Sequence, residues 1–343
     1  MTPPVAPSAL PQGPPGASSW PKGAPLAARR SRFRGGRLGV ALANLLGRCP
    51  SGSTGAVRLV VFALLFVAAP ALAQYSVRDD LGREVRFDRP PQRVVTLLPS
   101  LTETVCALGA CDRLVATDRY SDWPPSVVAL PKAGGVDDAQ IETIASLRPD
   151  VVLLSSSSRV IERLGQLGIR TFAVEARSYE GIDRSIEAVG RVLGLPAQAA
   201  ALERQIELGV EAVASEPQAR RRAAHPPSVY FEVDGGPYAA GASSFIGELL
   251  TRLGTRNIVP AALGPFPKLN PEYVVRADPE VIFVSPQQAP RLARRPGWDG
   301  IRAVREGRLC SFDAKVRDTI MRPGPRVVEG MKALAQCLDK QAP

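Results

Sequence analysis

From Arg93 onward, short runs of apolar, often β-branched residues alternate with longer stretches whose apolar positions recur every three or four residues. The short runs, bounded by turn residues, predict strands buried on both faces, and the longer stretches predict amphipathic helices. Strands are expected at 94–97, 114–116, 151–154 and 171–174, and helices at 101–108, 141–147, 160–167 and 179–193. Pro196 sits where a helix tolerates proline, in its first turn. Leu202, Ile206, Val210 and Val213 then carry one apolar stripe as far as Glu216-Pro217. Beyond Arg220-Arg221-Arg222 and His225-Pro226-Pro227 the alternation restarts, with strands at 228–232, 281–284 and 308–312 and helices at 244–253 and 325–340. Strands separated by helices of this length argue for parallel sheets covered on both faces. The expected fold is α/β: two Rossmann-like lobes with parallel-rich sheets, joined by a single long helix. The lobes are expected at 74–195 and 223–343, with the connecting helix at 196–222.

A repeat supports the two-lobe reading. Segment 141–155 matches segment 271–285: Glu142 and Glu272 near a helix start, Pro149 and Pro279 seven residues later, then Asp150 or Glu280, then an apolar run of strand length. Two copies of one αβ unit imply two similar lobes, and two lobes imply a cleft between them.

The net charge of +10 would by itself suggest nucleic acid or an anionic membrane as partner. Residues 1–73, however, hold eight Arg and Lys and no Asp or Glu, which leaves the remainder close to neutral. Its basic residues are interspersed with acids and lack the aromatic interleaving of a nucleic-acid groove, so no nucleic acid is expected. Within that front segment, 59–69 is an unbroken apolar run of eleven residues, too short to span a bilayer and suited to the core of a signal peptide. Arg58 precedes it, and Ala71-Leu72-Ala73 offers a small-x-small cleavage site before Gln74. The segment 1–73 is thus expected to be a disordered leader and signal peptide, cut after Ala73, with the mature chain in the periplasm. No Cys follows the site, which disfavours a lipid anchor. So long and proline-rich a leader is unusual, and translation is expected to begin near Val57.

Export bears on the cysteines. Cys106, Cys111, Cys310 and Cys337 remain after the front is removed, an even number in an oxidising compartment. Three connectivities are possible. Cys106–Cys111 and Cys310–Cys337 are preferred because each pair stays inside one lobe; buried free thiols are the alternative. Enzyme chemistry has little material. His225 is the only histidine and lies in a proline-rich interlobe stretch, so neither a Ser-His-Asp hydrolase nor a histidine-based metal site is expected. An exported enzyme using paired carboxylates such as Glu103 and Asp122 is the remote alternative.

The sequence Arg93-Val94-Val95-Thr96-Leu97-Leu98-Pro99-Ser100-Leu101-Thr102-Glu103, the loop Tyr120-Ser121-Asp122-Trp123-Pro124-Pro125, the 141–152 segment, Pro265-Phe266-Pro267 and Arg322-Pro323-Gly324-Pro325-Arg326 carry a resemblance. Over 75–338 the chain resembles the type III periplasmic solute-binding proteins of ABC importers, which have a helical backbone and bind metal chelates, and among them the cobalamin binders. The resemblance implies a monomer with no cofactor of its own and no metal held directly by the protein. It would bind cobalamin, a cobalt corrinoid, and deliver it to a permease dimer in the inner membrane. Ferric-siderophore and haem binders of the same class are the alternative; siderophore binders usually place several arginines in the cleft.

By that resemblance Tyr120 lines the cleft, with a packed loop aromatic as the plain alternative, whereas Trp123 beside two prolines reads as packing. Phe266 stands where cobalamin binders often carry a tryptophan, and Tyr238 and Arg322 are further cleft candidates, with Arg326 less clear. Ser100 is a candidate contact too, although Ser100 and Glu103 also read as a capping box. The sequence departs from the pattern at Val136 and Ser155, where a well-known cobalamin binder has tryptophans. Glu142 and Glu272 have two readings. Behind the expected N-caps Asp138 and Asn270 they are first-turn carboxylates favoured by the helix dipole; by the resemblance they pair with arginines of the permease dimer.

Overall fold

The computed structural model describes residues 74–233, 236 and 238–341; the expected leader, signal sequence and cleavage position lie outside them. The chain enters through a hairpin that the apolar pattern does not announce, β1 (Tyr75–Arg78) paired antiparallel with β2 (Glu84–Phe87). Asp79 closes its turn, accepting bonds from the Leu81 and Arg83 backbone N–H groups and from the Arg83 guanidinium. The first lobe then follows as β3 (Val94–Thr96), α1 (Pro99–Ala107), β4 (Leu114–Thr117), α2 (Ile141–Ser146), β5 (Val151–Leu154), α3 (Ile161–Gln166), β6 (Thr171–Ala173) and α4 (Tyr179–Leu193). Its four strands form a parallel sheet in the order β4-β3-β5-β6. β3 and β5 are buried along their whole length, as strands covered on both faces must be.

The connection is α5 (Pro196–Ala214) followed by a separate helix, α6 (Pro217–Ala224). One helix over 196–222 was expected, and the structure breaks it at Ser215 and Glu216. Pro217 has no N–H to continue the ladder, and it disfavours helical geometry in the residue before it. The second lobe comprises β7 (Ser228–Val233), β8 (Tyr238–Ala239), α7 (Phe245–Arg252), β9 (Arg256–Asn257), α8 (Pro271–Ala277), β10 (Val281–Phe283), α9 (Arg302–Arg305), β11 (Leu309–Cys310), α10 (Ala314–Met321) and α11 (Val327–Lys340). β7, β9, β10 and β11 pair in parallel, and β8 adds an antiparallel strand to β7. The expected strand 308–312 shrinks to two residues at the sheet edge.

The repeat is real in three dimensions. α2 leads into β5 as α8 leads into β10, with Ile144 and Val274 buried beneath each helix. Each helix ends in a non-glycine residue at positive φ, Arg148 (φ 46°) and Asp278 (φ 42°), at matched positions. The prolines that follow cannot continue the helix.

One apolar core runs through both lobes and the connection, taking in Ile186 of α4, Ile206 and Val210 of α5, Leu249 of α7 and Leu334 of α11. Close approach needs glycine at two places: a Cβ on Gly190 would lie 2.5 Å from the Ala199 methyl, and one on Gly209 would lie 2.8 Å from Val328. The cysteines pair as Cys106–Cys111 at the end of α1 and Cys310–Cys337 between β11 and α11. No described helix is long and apolar enough to cross a membrane.

Candidate functional site between the lobes

Open parallel sheets present their ligand loops at the carboxyl ends of the strands. Here the loops after β3 and β6 face those around α7 and the end of α10 across a cavity of about 670 Å³. The first lobe contributes Leu98, Ser100 and Glu175 with Arg177; the second contributes Phe245, the Pro265-Phe266-Pro267 segment and Met321 with Arg322. Three of the expected residues, Ser100, Phe266 and Arg322, therefore line one cavity.

Phe266 is partly buried, its ring edge-on to Phe245 at 6.2 Å between centroids. Its segment is pinned on both sides, since Gly241 N–H donates to the Pro265 carbonyl and Ala239 N–H to that of Pro267. Only glycine permits this at 241, where a Cβ would lie 2.5 Å from the Gly264 oxygen. Tyr120 and Tyr238 are placed differently. Both are exposed, at 60% and 48%, and neither is among the residues that line the cavity. Tyr120 stands beside it, because its carbonyl accepts a bond from Arg322. Tyr238 pairs with Lys268 across the β8 edge.

The loop that carries Tyr120 is held by a buried polar chain. Thr96 and Thr102 hydroxyls meet at 2.6 Å, Thr102 and Ser121 at 2.7 Å, and Ser121 donates to the Asp118 carboxylate. Burial pushes the Asp118 pKa up, opposed by the bonds from Ser121 and the Tyr120 N–H and by the Lys132 charge.

Arg322 does not present its charge to the cavity uncompensated. Its guanidinium reaches Glu103 at 3.0 Å, Asp122 at 2.7 Å and Asp318 at 3.2 Å. Burial works against that charge, yet the hydrogen-bonded Asp122 and Glu103 carboxylates raise its pKa above the usual value. Arg326 binds the same Glu103 at 2.6 Å and lies over the Trp123 ring at 4.9 Å. Glu103 is 2% exposed and joins α1 of one lobe to two arginines of the other. Burial alone would raise the Asp122 pKa, but the bond and charge of Arg322 hold it below the usual aspartate range.

This overturns the capping box expected at Ser100 and Glu103. α1 begins at Pro99 with Leu98 as N-cap and no side-chain cap, because proline takes the first-turn position that lacks a donor. Glu103 turns to the arginines instead. The expected cap at Asp138 is corrected too: the N-cap of α2 is Gln140, and Asp138 pairs with Arg119 and accepts from the Gly135 N–H. Asn270 does cap α8, accepting from the Glu272 N–H at 3.0 Å. Glu142 and Glu272 are both exposed in the first turns of the two repeated helices.

Sequence reasoning missed Glu175 and Arg177. Glu175 accepts from Ser155 at 2.8 Å and from Ser156 at 3.0 Å, with Arg177 at 3.4 Å. Val136 is half-buried, and Ser155 is buried within this polar knot. Among the described residues, no three His, Cys, Asp or Glu side chains converge as metal ligands.

The chain matches the family described as periplasmic binding protein over residues 94–316. It is 28% identical over 272 residues to an uncharacterized ABC transporter substrate-binding lipoprotein of Bacillus subtilis, covering 77% of this chain and 85% of the relative. It is 29% identical over 272 residues to a cobalamin-binding protein of Halobacterium salinarum, covering 75% of this chain and 72% of the relative. Its fold matches the apo periplasmic haem-binding protein RhuT of Roseiflexus sp. RS-1 with a TM-score of 0.64 and 25% identity, covering 74% of this chain and 99% of that one. The match meets the expectation of a binding protein rather than an enzyme, with two α/β lobes on parallel sheets: the chain belongs to the periplasmic binding protein family.

Proposed function

We propose that this protein is the substrate-binding component of an ABC importer. As a monomer outside the cytoplasm, it captures cobalamin or a related corrinoid in the interlobe cleft and delivers it to a membrane permease dimer. One observation carries the ligand reading. The cleft walls are largely apolar, with Phe245 and Phe266 as aromatic faces, and the arginines in and beside it each have a carboxylate partner: Arg322 and Arg326 are engaged by Glu103, Asp122 and Asp318, and Arg177 by Glu175. Such a site suits a large ligand of little net charge, held by contact area and a few polar groups. It suits an anionic siderophore poorly, because each arginine would have to give up a carboxylate first. The cobalamin-binding relative and the Phe266 segment support the same reading.

A second reading, haem, has its own observation. Tyr120, beside the cleft, offers an exposed phenol, and phenolate is a known ligand of haem iron. Equilibrium titration of the purified protein with cyanocobalamin, haem and a ferric siderophore separates the three. Tight binding of cobalamin alone is expected; binding of haem or siderophore with none of cobalamin would overturn the ligand reading and leave the fold untouched.

For delivery, Glu142 and Glu272 are the proposed docking residues. Both are exposed, and both occupy the first turn of a repeated helix that runs back along a parallel strand. Each first turn therefore lies toward the strand carboxyl ends of its lobe, the side on which the cleft opens.

A further inference from the structure

A second cavity of about 410 Å³ lies in the second lobe at the carboxyl ends of β7 and β10, and Met321 lines both it and the interlobe cleft. We infer that this second cavity is a subsite for the aromatic, phosphate-bearing arm of a complete corrinoid. The inference rests on the corrinoid reading and deepens it, by assigning the ring to the cleft and the arm to this lobe.

Three features carry the assignment. The first is the floor, a run of near-parallel rings. Phe231 and Phe283 stack at 5.5 Å with planes 18° apart, and Phe283 and Phe312 at 6.4 Å with planes 20° apart. Phe231 and Phe283 are buried, whereas Phe312 is half-buried and leaves aromatic surface for a further flat ring. The second is the rim. Ser285, Gln288 and Arg317 supply donors, and among the described residues the one acidic partner of Arg317 is its neighbour Asp318 at 3.6 Å, which leaves most of its fork for a phosphate. Glu232 and Asp318 also border the cavity, but each carboxylate has a cation of its own, Arg295 on Glu232 at 2.5 and 2.9 Å and Arg322 on Asp318 at 3.2 Å.

The third feature is asymmetry between the lobes. Ser285 is the repeat partner of Ser155. On the first lobe that position is closed by the Ser155, Ser156 and Glu175 knot, which offers neither an aromatic face nor a cation in excess. A corrinoid whose ring fills the 670 Å³ cleft still needs room for its arm, and the aromatic floor and phosphate donors occur together on the second lobe. The arm is therefore directed to the second lobe, and haem, which has no such arm, leaves this cavity empty.

The test compares cyanocobalamin with dicyanocobinamide, which keeps the corrin ring and lacks the phosphate, ribose and benzimidazole. The wild type should bind cyanocobalamin at least about tenfold more tightly. Ser285→Trp, which fills the cavity, should remove that preference while leaving cobinamide affinity unchanged. Phe312→Ala and Arg317→Ala, on half-buried side chains, should each narrow it and serve equally if the tryptophan variant fails to fold. Equal wild-type affinity for the two ligands, or variants that weaken both equally, would overturn the subsite. Failure of the wild type to bind either corrinoid would instead overturn the corrinoid reading, and the subsite with it.

Discussion

Glu103 is the side chain on which the two lobes most visibly depend. Its carboxylate is buried and shared by Arg322 and Arg326, both of which are largely removed from solvent. Removing one partner of a buried ion pair strands the others, at a cost of about 3–5 kcal/mol. Glu103→Gln should lie near the lower end, because Arg322 keeps Asp122 and Asp318. Urea unfolding measures this, and a loss below about 1 kcal/mol would show that the pairs do not brace the lobes. Asp122 makes the same link sensitive to pH. Its pKa is depressed in the folded protein, so its contribution is present above the ordinary aspartate value of about 3.9 and is lost as pH falls through the lower, folded value. The melting-temperature difference between wild type and Asp122→Asn should be constant at neutral pH and vanish in acid. The sequence carries both ends of this network in its motifs, Glu103 in one and Arg322-Pro323-Gly324-Pro325-Arg326 in another. Their pairing was not legible, because a contact across more than 200 residues depends on how the lobes dock. Glu103 also fits a local capping pattern, which made the wrong partner the obvious one.

Among elements, the long regular ones read most clearly. Tyr179–Leu193 and Val151–Leu154 have the expected bounds, since each carries a strong period or an uninterrupted apolar run between turn residues. The β1–β2 hairpin and the two-residue strands β8 and β9 were not legible, being short and stabilised by pairing rather than by composition. The loops that form the cleft were legible only where a motif marked them; Glu175 and Arg177 carry no such mark. Disulfides tie down two of the less regular regions. Cys310–Cys337 fastens the short edge strand β11 to α11 across a separation of 27 residues. Loop-closure entropy puts its contribution at about 3–4 kcal/mol, against about 2 kcal/mol for the short Cys106–Cys111 loop. Replacing Cys310 and Cys337 together by serine should therefore lower unfolding free energy more than replacing Cys106 and Cys111. The reverse order in chemical denaturation would show that β11 is held by its sheet contacts alone.

For the whole molecule, the apolar core that runs from α4 through α5 to α11 makes the two lobes and their connection one packed body. The cleft is then a largely preformed site, and on the proposed function the permease would have to part the lobes or displace the ligand. Glu142→Ala combined with Glu272→Ala should leave ligand affinity and stability unchanged, because both carboxylates are exposed in first turns. If the two carboxylates dock the permease as proposed, uptake reconstituted with the cognate permease should fall severely, since a lost charge-assisted contact is worth about 1–3 kcal/mol. Normal uptake by the double variant would leave the pair as helix-start carboxylates. The proposed function stands on where the ligand sits. A crystal structure of the complex with cyanocobalamin tests this most directly. The corrin ring should lie between Ser100 and Phe266, with Arg322 still bound to Glu103 and the nucleotide arm over Phe312. A ring seated anywhere but between the lobes, or an empty cleft at saturating ligand, would contradict it.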